Sequence, residues 1–123
     1  MADDAEVKWE PSIPRKIHTF SDTGSGAMAV NITPENSFKL IEVRLHLGAP
    51  SATSENLTIT QNSILGAAYD TKHRSHNMNA TQDFVWDEIR DKFFDTGDSL
   101  DLAWPNTNAE TWGLQVKYEL NGG

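Results

Sequence analysis

The sequence contains no cysteine among its 123 residues. Disulfides, thiolate metal ligands and cysteine nucleophiles are therefore excluded, and the chain can be made in a reducing cytoplasm. Basic residues are also scarce, with 10 Lys and Arg against 18 Asp and Glu, so the formal net charge is −8. Nucleic acids are bound by clustered Lys and Arg, and anionic membrane surfaces attract the same residues. We therefore expect neither nucleic acid nor a membrane among the partners.

Long apolar runs are missing as well. No stretch approaches the roughly 20 apolar residues that a transmembrane helix needs. The first six residues, MADDAE, lack the basic start and the apolar segment of a signal peptide. We expect synthesis in the cytoplasm without export.

Signatures of common enzyme classes are absent. The chain has no Gly-x-Ser-x-Gly elbow, no His-Glu-x-x-His zinc motif and no glycine-rich phosphate loop. We therefore predict a protein that is not an enzyme, with no catalytic residues and no cofactor.

Two polar clusters have both a chemical and a structural interpretation. His73 and His76 have a spacing that metal sites use, but Arg74 is a poor neighbour for a cation, and we predict a solvated loop without a metal. The segment 95–101, DTGDSLD, is rich in carboxylates that suit calcium but lacks the ligand order of the helical calcium loop. We predict a turn there, built on Asp and Gly.

Alternation of apolar and polar residues is the strongest positive signal. In the run 112–120, Trp112, Leu114, Val116, Tyr118 and Leu120 share one face, which is typical of a half-buried strand. The run 100–104 alternates in the same way. The turn-rich segment between them, residues 105–110, predicts that the two runs pair as a β-hairpin.

Similar runs recur along the chain at strand-like spacing. We predict further strands over 16–20, 27–33, 38–47, 56–61, 64–71 and 84–86, and a loop over 72–82 whose centre could instead extend a hairpin. About eight strands predict an all-β fold, an antiparallel β-sandwich of the jelly-roll type over 16–123. A seven-stranded immunoglobulin-like sandwich is the competing architecture. The predicted core consists of Ile41, Val43, Leu45, Leu57, Ile59, Phe84, Trp86, Leu100, Leu102, Trp112, Leu114, Val116 and Tyr118.

The first 15 residues differ from the rest of the chain. They are acidic and carry no periodicity, and we interpret them as an extended N-terminal arm. Pro11 and Pro14 favour an extended conformation, and Trp9 and Ile13 are apolar anchors. These four residues are the predicted partner-binding site.

Several segments together resemble small structural proteins of tailed bacteriophages. The segments are FKLIEVRLHL (38–47), ENLTIT (55–60), GAAYDT (66–71), GDSLDLAWPN (97–106) and TWGL (111–114). The resemblance spans roughly residues 38–120. It implies a virion component, a decoration or cement protein on the capsid surface, whose partners are the major capsid protein and copies of itself. For such a protein we expect a homo-oligomer, with a homotrimer favoured.

Two alternatives stay open: a lectin-like carbohydrate-binding module, and a component of the phage neck or tail. The aromatic residues distinguish binding to sugars from assembly. A sugar-binding module presents two or more rings on an open face or loop, whereas an assembly protein buries them. We expect Trp86, Trp104 and Trp112 to lie in the core.

Overall fold

The computed structural model describes residues 16–121, and antiparallel strands dominate it. The strands are β1 (Lys16–Gly24), β2 (Met28–Ile32), β3 (Phe38–Leu47), β4 (Asn56–Asn62), β5 (Thr71–Asn77), β6 (Asp83–Trp86), β7 (Phe93–Phe94), β8 (Ser99–Trp104) and β9 (Trp112–Leu120). A short 3-10 helix covers Ala67–Tyr69. No helix in this part of the chain is long and apolar enough to cross a bilayer.

The strands form two sheets. The first has the order β1-β9-β3-β6, with β7 also paired to β3, and the second has the order β2-β8-β4-β5. Every pairing between these strands is antiparallel. The predicted fold class, an all-β antiparallel β-sandwich, is confirmed. The finer assignment to a jelly roll stays a prediction.

The inner faces of the two sheets supply the core. Most of the predicted core residues are buried, and the confirmed ones are Val43, Leu45, Leu57, Ile59, Phe84, Trp86, Leu100, Leu102, Trp112, Leu114 and Val116. Tyr118 is only partly buried and packs against this core. Period-two alternation located these residues because each strand has one face against the opposite sheet.

One core prediction was wrong. The register between β3 and β9 shifts where Glu42 pairs with Lys117 and Leu40 pairs with Tyr118. Ile41 is the extra residue of this β-bulge and is only partly buried, while Leu40 is fully buried. A bulge moves the residues before it to the opposite face, so the simple alternation from Val43 back to Ile41 does not hold.

The predicted hairpin between β8 and β9 is also wrong. The two strands lie in different sheets, β8 between β2 and β4, and β9 between β1 and β3. Asn106 organises the connection between them. Its buried side chain donates from Nδ2 to the carbonyls of Gly26 and Glu110 and accepts from the Glu110 N–H. Alternation of apolar and polar residues shows that a strand has one buried face, but it does not identify the strand with which it pairs.

The segment after β4 was assigned wrongly as well. Residues 64–70 of the predicted strand 64–71 form turns and the 3-10 helix, and residues 71–77, predicted to lie mostly in a loop, are β5. β5 lies at the edge of the second sheet, and its side chains are exposed or half-buried. An edge strand is held by backbone pairing on one side, so it needs no apolar alternation.

We expect Leu45→Ala to lower the free energy of unfolding by about 2–4 kcal/mol, because it removes buried methyl groups and leaves a cavity. Val116→Ala, on the neighbouring strand β9, removes less volume, and its expected loss of unfolding free energy lies at the lower end of that range. Urea denaturation measures both. Ile41→Ala is the control on the same strand, with an expected loss of about 1 kcal/mol because the side chain is half-buried. A loss for Ile41→Ala as large as that for Leu45→Ala would contradict the bulge.

Candidate functional site: an exposed apolar end of the sandwich

Exposed large apolar side chains concentrate at one end of the sandwich. Among the described residues, six large apolar side chains are exposed, and all of them except Val85 lie at this end. The other five have exposed fractions between 44% and 69% and are Ile17, Ile64, Leu65, Tyr69 and Phe93. We call these five residues the apolar end. Exposed apolar side chains that gather at one end of a domain are a candidate interaction site, because exposed apolar patches mark such sites.

Strand pairing places two of the five on one surface. Ile17 pairs with Glu119, Glu119 with Lys39, and Lys39 with Phe93. These four residues form a row across β1, β9, β3 and β7 on the outer face of the first sheet. The Lys39 ammonium lies 5.8 Å from the centre of the Phe93 ring. This row therefore carries an apolar residue at each of its two ends.

The other three residues of the apolar end lie on the connection from β4 to β5. Ile64 packs on Gly97, where an added Cβ would overlap the Ile64 side chain. Gly97 has a φ of 95°, a conformation that also favours glycine. The Ser63 N–H donates to the Asp70 carboxylate, which closes the loop on itself. The loop thus sits against the turn that follows Phe93.

The carboxylate of Asp98 joins this loop to that turn. Asp98 is buried and accepts three hydrogen bonds of 2.9 Å, from the N–H of Ile64, the side-chain amide of Gln61 and the N–H of Asp95. Burial alone raises the pKa of Asp98, but the three hydrogen bonds outweigh it and hold the pKa below its ordinary value. A turn is present over residues 95–98, with Asp98 as its organiser, whereas residues 99–101 of the segment predicted as a turn belong to β8.

Gln61 extends the same network to β5. Because its Nε2 donates to Asp98, its Oε1 is the acceptor for Nε2 of His73, at 2.8 Å. Burial, and next the positive charge of Lys92, lower the pKa of His73. The neutral ring therefore carries its proton on Nε2. The network holds together β4, β5 and the turn before β8.

An open groove of about 430 Å³ lies beside Phe93 at the same end. Its lining residues are Ser37, Phe38, Lys39, Phe93, Phe94, Asp95, Glu119, Leu120 and Asn121. Aromatic packing supports it from below, since the rings of Phe38 and Phe94 stack at 4.4 Å and Tyr118 meets Phe38 edge-on at 5.6 Å. We call this feature the end groove. Leu120 lines the end groove and pairs with Lys16, the first residue of β1, so the groove lies beside the start of β1.

The predicted partner-binding residues, Trp9, Pro11, Ile13 and Pro14, lie outside the described residues. The described chain nevertheless fixes where residues 1–15 are attached. They precede Lys16, whose partner across the β1–β9 pairing lines the end groove. The point at which residues 1–15 join the described chain therefore lies at the same end as the end groove.

The two histidines of the polar cluster lie on β5 and not in a solvated loop. His76 lies 4.9 Å from the Phe84 ring, and His73 meets Phe94 edge-on at 5.8 Å. Arg74 lies 5.5 Å from both the Phe84 and the Trp86 rings. These side chains cover the aromatic edge of the core. Within residues 16–121, no group of three or more His, Cys, Asp or Glu is arranged to hold a metal.

The three described tryptophans, Trp86, Trp104 and Trp112, are buried as predicted. The exposed rings are Tyr69 and Phe93, both at the apolar end. The apolar end was not predicted from the sequence, because Ile64 and Leu65 were assigned to a strand. A usable signal was available: adjacent apolar residues flanked by Ser63 and Gly66 interrupt the alternation.

A second surface feature lies on the outer face of the first sheet. His46 and Asp83 pair across β3 and β6, with Nδ1 and the carboxylate 2.6 Å apart and both side chains exposed. They border a depression of about 320 Å³ whose floor includes Gly113. An exposed pair of this kind contributes little to stability and is explained as a cross-strand contact.

No protein-family model, no curated protein and no solved structure matches this chain. The geometry of the described residues is therefore the basis of the functional argument.

We expect Asp98→Asn to lower the free energy of unfolding at pH 7 by about 1.5–3 kcal/mol, because an amide replaces a carboxylate that accepts three hydrogen bonds. Since the folded state depresses the pKa of Asp98, its contribution is complete above pH 4–5 and is lost as pH falls below about 4. Urea denaturation between pH 7 and pH 2 measures this. In the Asp98→Asn variant, the decrease in unfolding free energy that protonation of Asp98 causes at low pH should be absent.

Asp95→Asn is the matched control in the same turn, because the Asp95 side chain is exposed. Its expected change at pH 7 is within about 0.5 kcal/mol. Equal losses in the two variants would show that Asp98 does not organise the turn.

Proposed function

We propose that the protein is a non-enzymatic virion structural protein that decorates and stabilises a bacteriophage capsid. In this proposal the apolar end and the N-terminal arm dock on the major capsid protein, and copies of the chain associate with one another. The protein is made in the host cytoplasm and resides on the capsid surface.

The observation that carries the proposal is the location of the exposed apolar side chains. Five of the six in the described residues share the end where residues 1–15 are attached. Exposing Leu65, Tyr69 and Phe93 to water is unfavourable, and a docked partner would remove that cost. The hydrogen bonds to Asp98 hold the loop in place before docking, which lowers the entropy cost of binding.

The strand order supports a capsid-related architecture. β1 lies beside β9, β2 lies beside β8, and the chain crosses from one sheet to the other at every connection except β4–β5 and β6–β7. This is the order expected when two Greek keys form a jelly roll, a fold used by viral capsid and lectin domains. Fold alone does not assign function, and the apolar end is the feature that favours docking on a capsid.

The lectin-like alternative draws on one specific observation. Two exposed rings, Tyr69 and Phe93, lie at the same end, and aromatic rings stack on sugars. Against it, the tryptophans of residues 16–121 are buried, and Leu65 offers a sugar no hydrogen bond. Calorimetric titration with mono- and oligosaccharides distinguishes the two functions. Saturable sugar binding that Tyr69→Ala abolishes would favour the lectin-like module.

The capsid proposal predicts that Leu65→Ser with Phe93→Ser weakens binding to capsids of the encoding phage at least about tenfold. Each change removes an apolar side chain from the docked surface, and 1.4 kcal/mol corresponds to a factor of ten. Cosedimentation with purified capsids in a density gradient measures the affinity. A second variant without residues 1–15, checked by circular dichroism, tests the arm, and we expect it to bind more weakly.

Val85→Ser is the matched control, because Val85 is exposed on the outer face of the first sheet and outside the apolar end. Its affinity should equal that of the unmodified chain. If the arm deletion binds as well as the intact chain, the arm has no role in attachment. If the intact chain does not bind capsids, the proposed location of the protein changes from the capsid surface to the phage neck or tail.

Self-association gives a separate prediction. We expect a homotrimer, with a mass three times the 13.7 kDa of the chain, because small structural proteins gather around capsid symmetry axes and bury additional surface there. Size-exclusion chromatography with light scattering over a range of concentrations measures the mass. A monomer at high concentration, with or without capsids, contradicts this expectation.

A further inference from the structure

We infer that the edge of β1 that faces away from β9 pairs with β1 of a second copy of this chain. The two strands run antiparallel about a twofold axis at Phe20, so that the first sheets of the two copies become one continuous sheet. This inference goes beyond the proposed function, because the contact needs no capsid. A twofold contact does not generate the threefold association expected above, so the two associations use different surfaces.

The first argument is the edge itself. β1 (Lys16–Gly24) pairs with β9 along its whole length without a register shift, and no strand within residues 16–121 pairs with its other side. It is also longer than the other strands at the sheet edges, which are β2, β5, β6 and β7. A strand edge presents a row of N–H and C=O groups with which a further strand can pair. β1 is therefore the most extended regular edge in the described chain.

The second argument concerns the side chains that β1 directs toward the core side of the sheet. Pairing with β9 places Phe20 opposite Val116 and Asp22 opposite Leu114, and both residues of β9 are buried. Phe20 is only partly buried against the core, and Asp22 is exposed. A carboxylate that points inward at a sheet edge disfavours the addition of an arbitrary strand. The edge therefore favours a partner that places a hydrogen-bond donor opposite Asp22.

The third argument is that β1 is complementary to itself around Phe20. In the antiparallel register, His18 of each copy lies opposite Asp22 of the other, where an imidazole N–H can donate to the carboxylate. The symmetry makes this contact twice. Thr19 lies opposite Ser21, and the two Phe20 side chains meet at the axis and cover each other's exposed parts. A second copy of β1 therefore supplies the donor that the edge requires.

The polar groups of this contact are oriented within the single chain. His18 pairs with Tyr118 across β1 and β9, and their rings stack with centres 5.6 Å apart. The Asp22 carboxylate accepts a hydrogen bond of 2.9 Å from the Thr23 N–H and keeps further lone pairs for a second donor. Side chains that are already oriented lose less conformational entropy when two copies associate.

Cysteine cross-linking of the full-length protein tests the register, because the chain has no cysteine of its own. Thr19→Cys and Ser21→Cys each replace an exposed side chain. In the inferred register, residue 19 lies about 5 Å from residue 21 of the second copy, within reach of a disulfide, but about 8 Å from residue 19. Oxidation with copper phenanthroline should link an equal mixture of the two variants several-fold faster than either variant alone.

Non-reducing gel electrophoresis measures the product, whose mass is twice the 13.7 kDa of the chain. Val85→Cys is the control, because Val85 is exposed on β6, at the opposite side of the first sheet from β1. A mixture of Val85→Cys with Thr19→Cys should cross-link no faster than Thr19→Cys alone.

Exchange of the two polar residues tests the contact between them. His18→Asp places carboxylates opposite each other twice in each pair of copies, and the dissociation constant should rise at least about tenfold. The double variant His18→Asp/Asp22→His restores the pairing in reverse order and should return to within about threefold of the unmodified chain. Both variants lack the stacking of His18 on Tyr118, so that recovery cannot come from it. Sedimentation equilibrium measures the dissociation constants, and circular dichroism verifies the fold.

Four results would overturn the inference. Cross-linking of the mixture no faster than that of the single variants would show that residues 19 and 21 do not meet. Faster cross-linking of Thr19→Cys alone would place the axis away from Phe20. A double variant that associates as weakly as His18→Asp would show that His18 does not face Asp22 of the second copy. A full-length protein that stays monomeric at every concentration would exclude the contact.

Discussion

Burial of one sheet face against the other is the constraint on which this structure depends. Each of the two sheets has an apolar face, and neither is stable in water until it is covered. The core is filled from both sides, by residues such as Val43 and Val116 in one sheet and Leu57 and Leu102 in the other. Apolar residues outside that interface are not explained by folding. This is why the apolar end stands out as the candidate interaction surface.

The apolar end also shows how a polar group shapes an apolar surface. Asp98 is charged and buried, and it persists because three donors point at it. Two of the donors are backbone N–H groups of different segments, and the third, Gln61, also contacts His73. One carboxylate thus fixes the relative positions of Phe93, Ile64 and Leu65. The shape of the apolar end is therefore set by a desolvated, hydrogen-bonded charge.

The amino-acid sequence predicted the parts of the fold that depend on local alternation, and it failed where alternation is insufficient. Residues such as Leu45 and Val116 were identified because each strand repeats with period two. The partner of β9 was not, because pairing depends on distant strands, and Ile41 was misplaced by a bulge. β5 escaped recognition because its inner face is His and Arg packed on aromatic rings. The residues of the apolar end are distant in sequence, and the tertiary fold brings them to one end of the sandwich.

The polar character of β5 has a consequence for solubility. An exposed strand edge offers free backbone donors and acceptors and can recruit strands of other molecules, which leads to aggregates. β5 is an edge strand with Lys72 on it, a register irregularity opposite Ile59 and Thr60, and no buried side chain. These features discourage indefinite strand addition. Under the proposed function, the residues that dock lie on a loop and at a groove, where contacts stop at one partner and do not propagate into fibres.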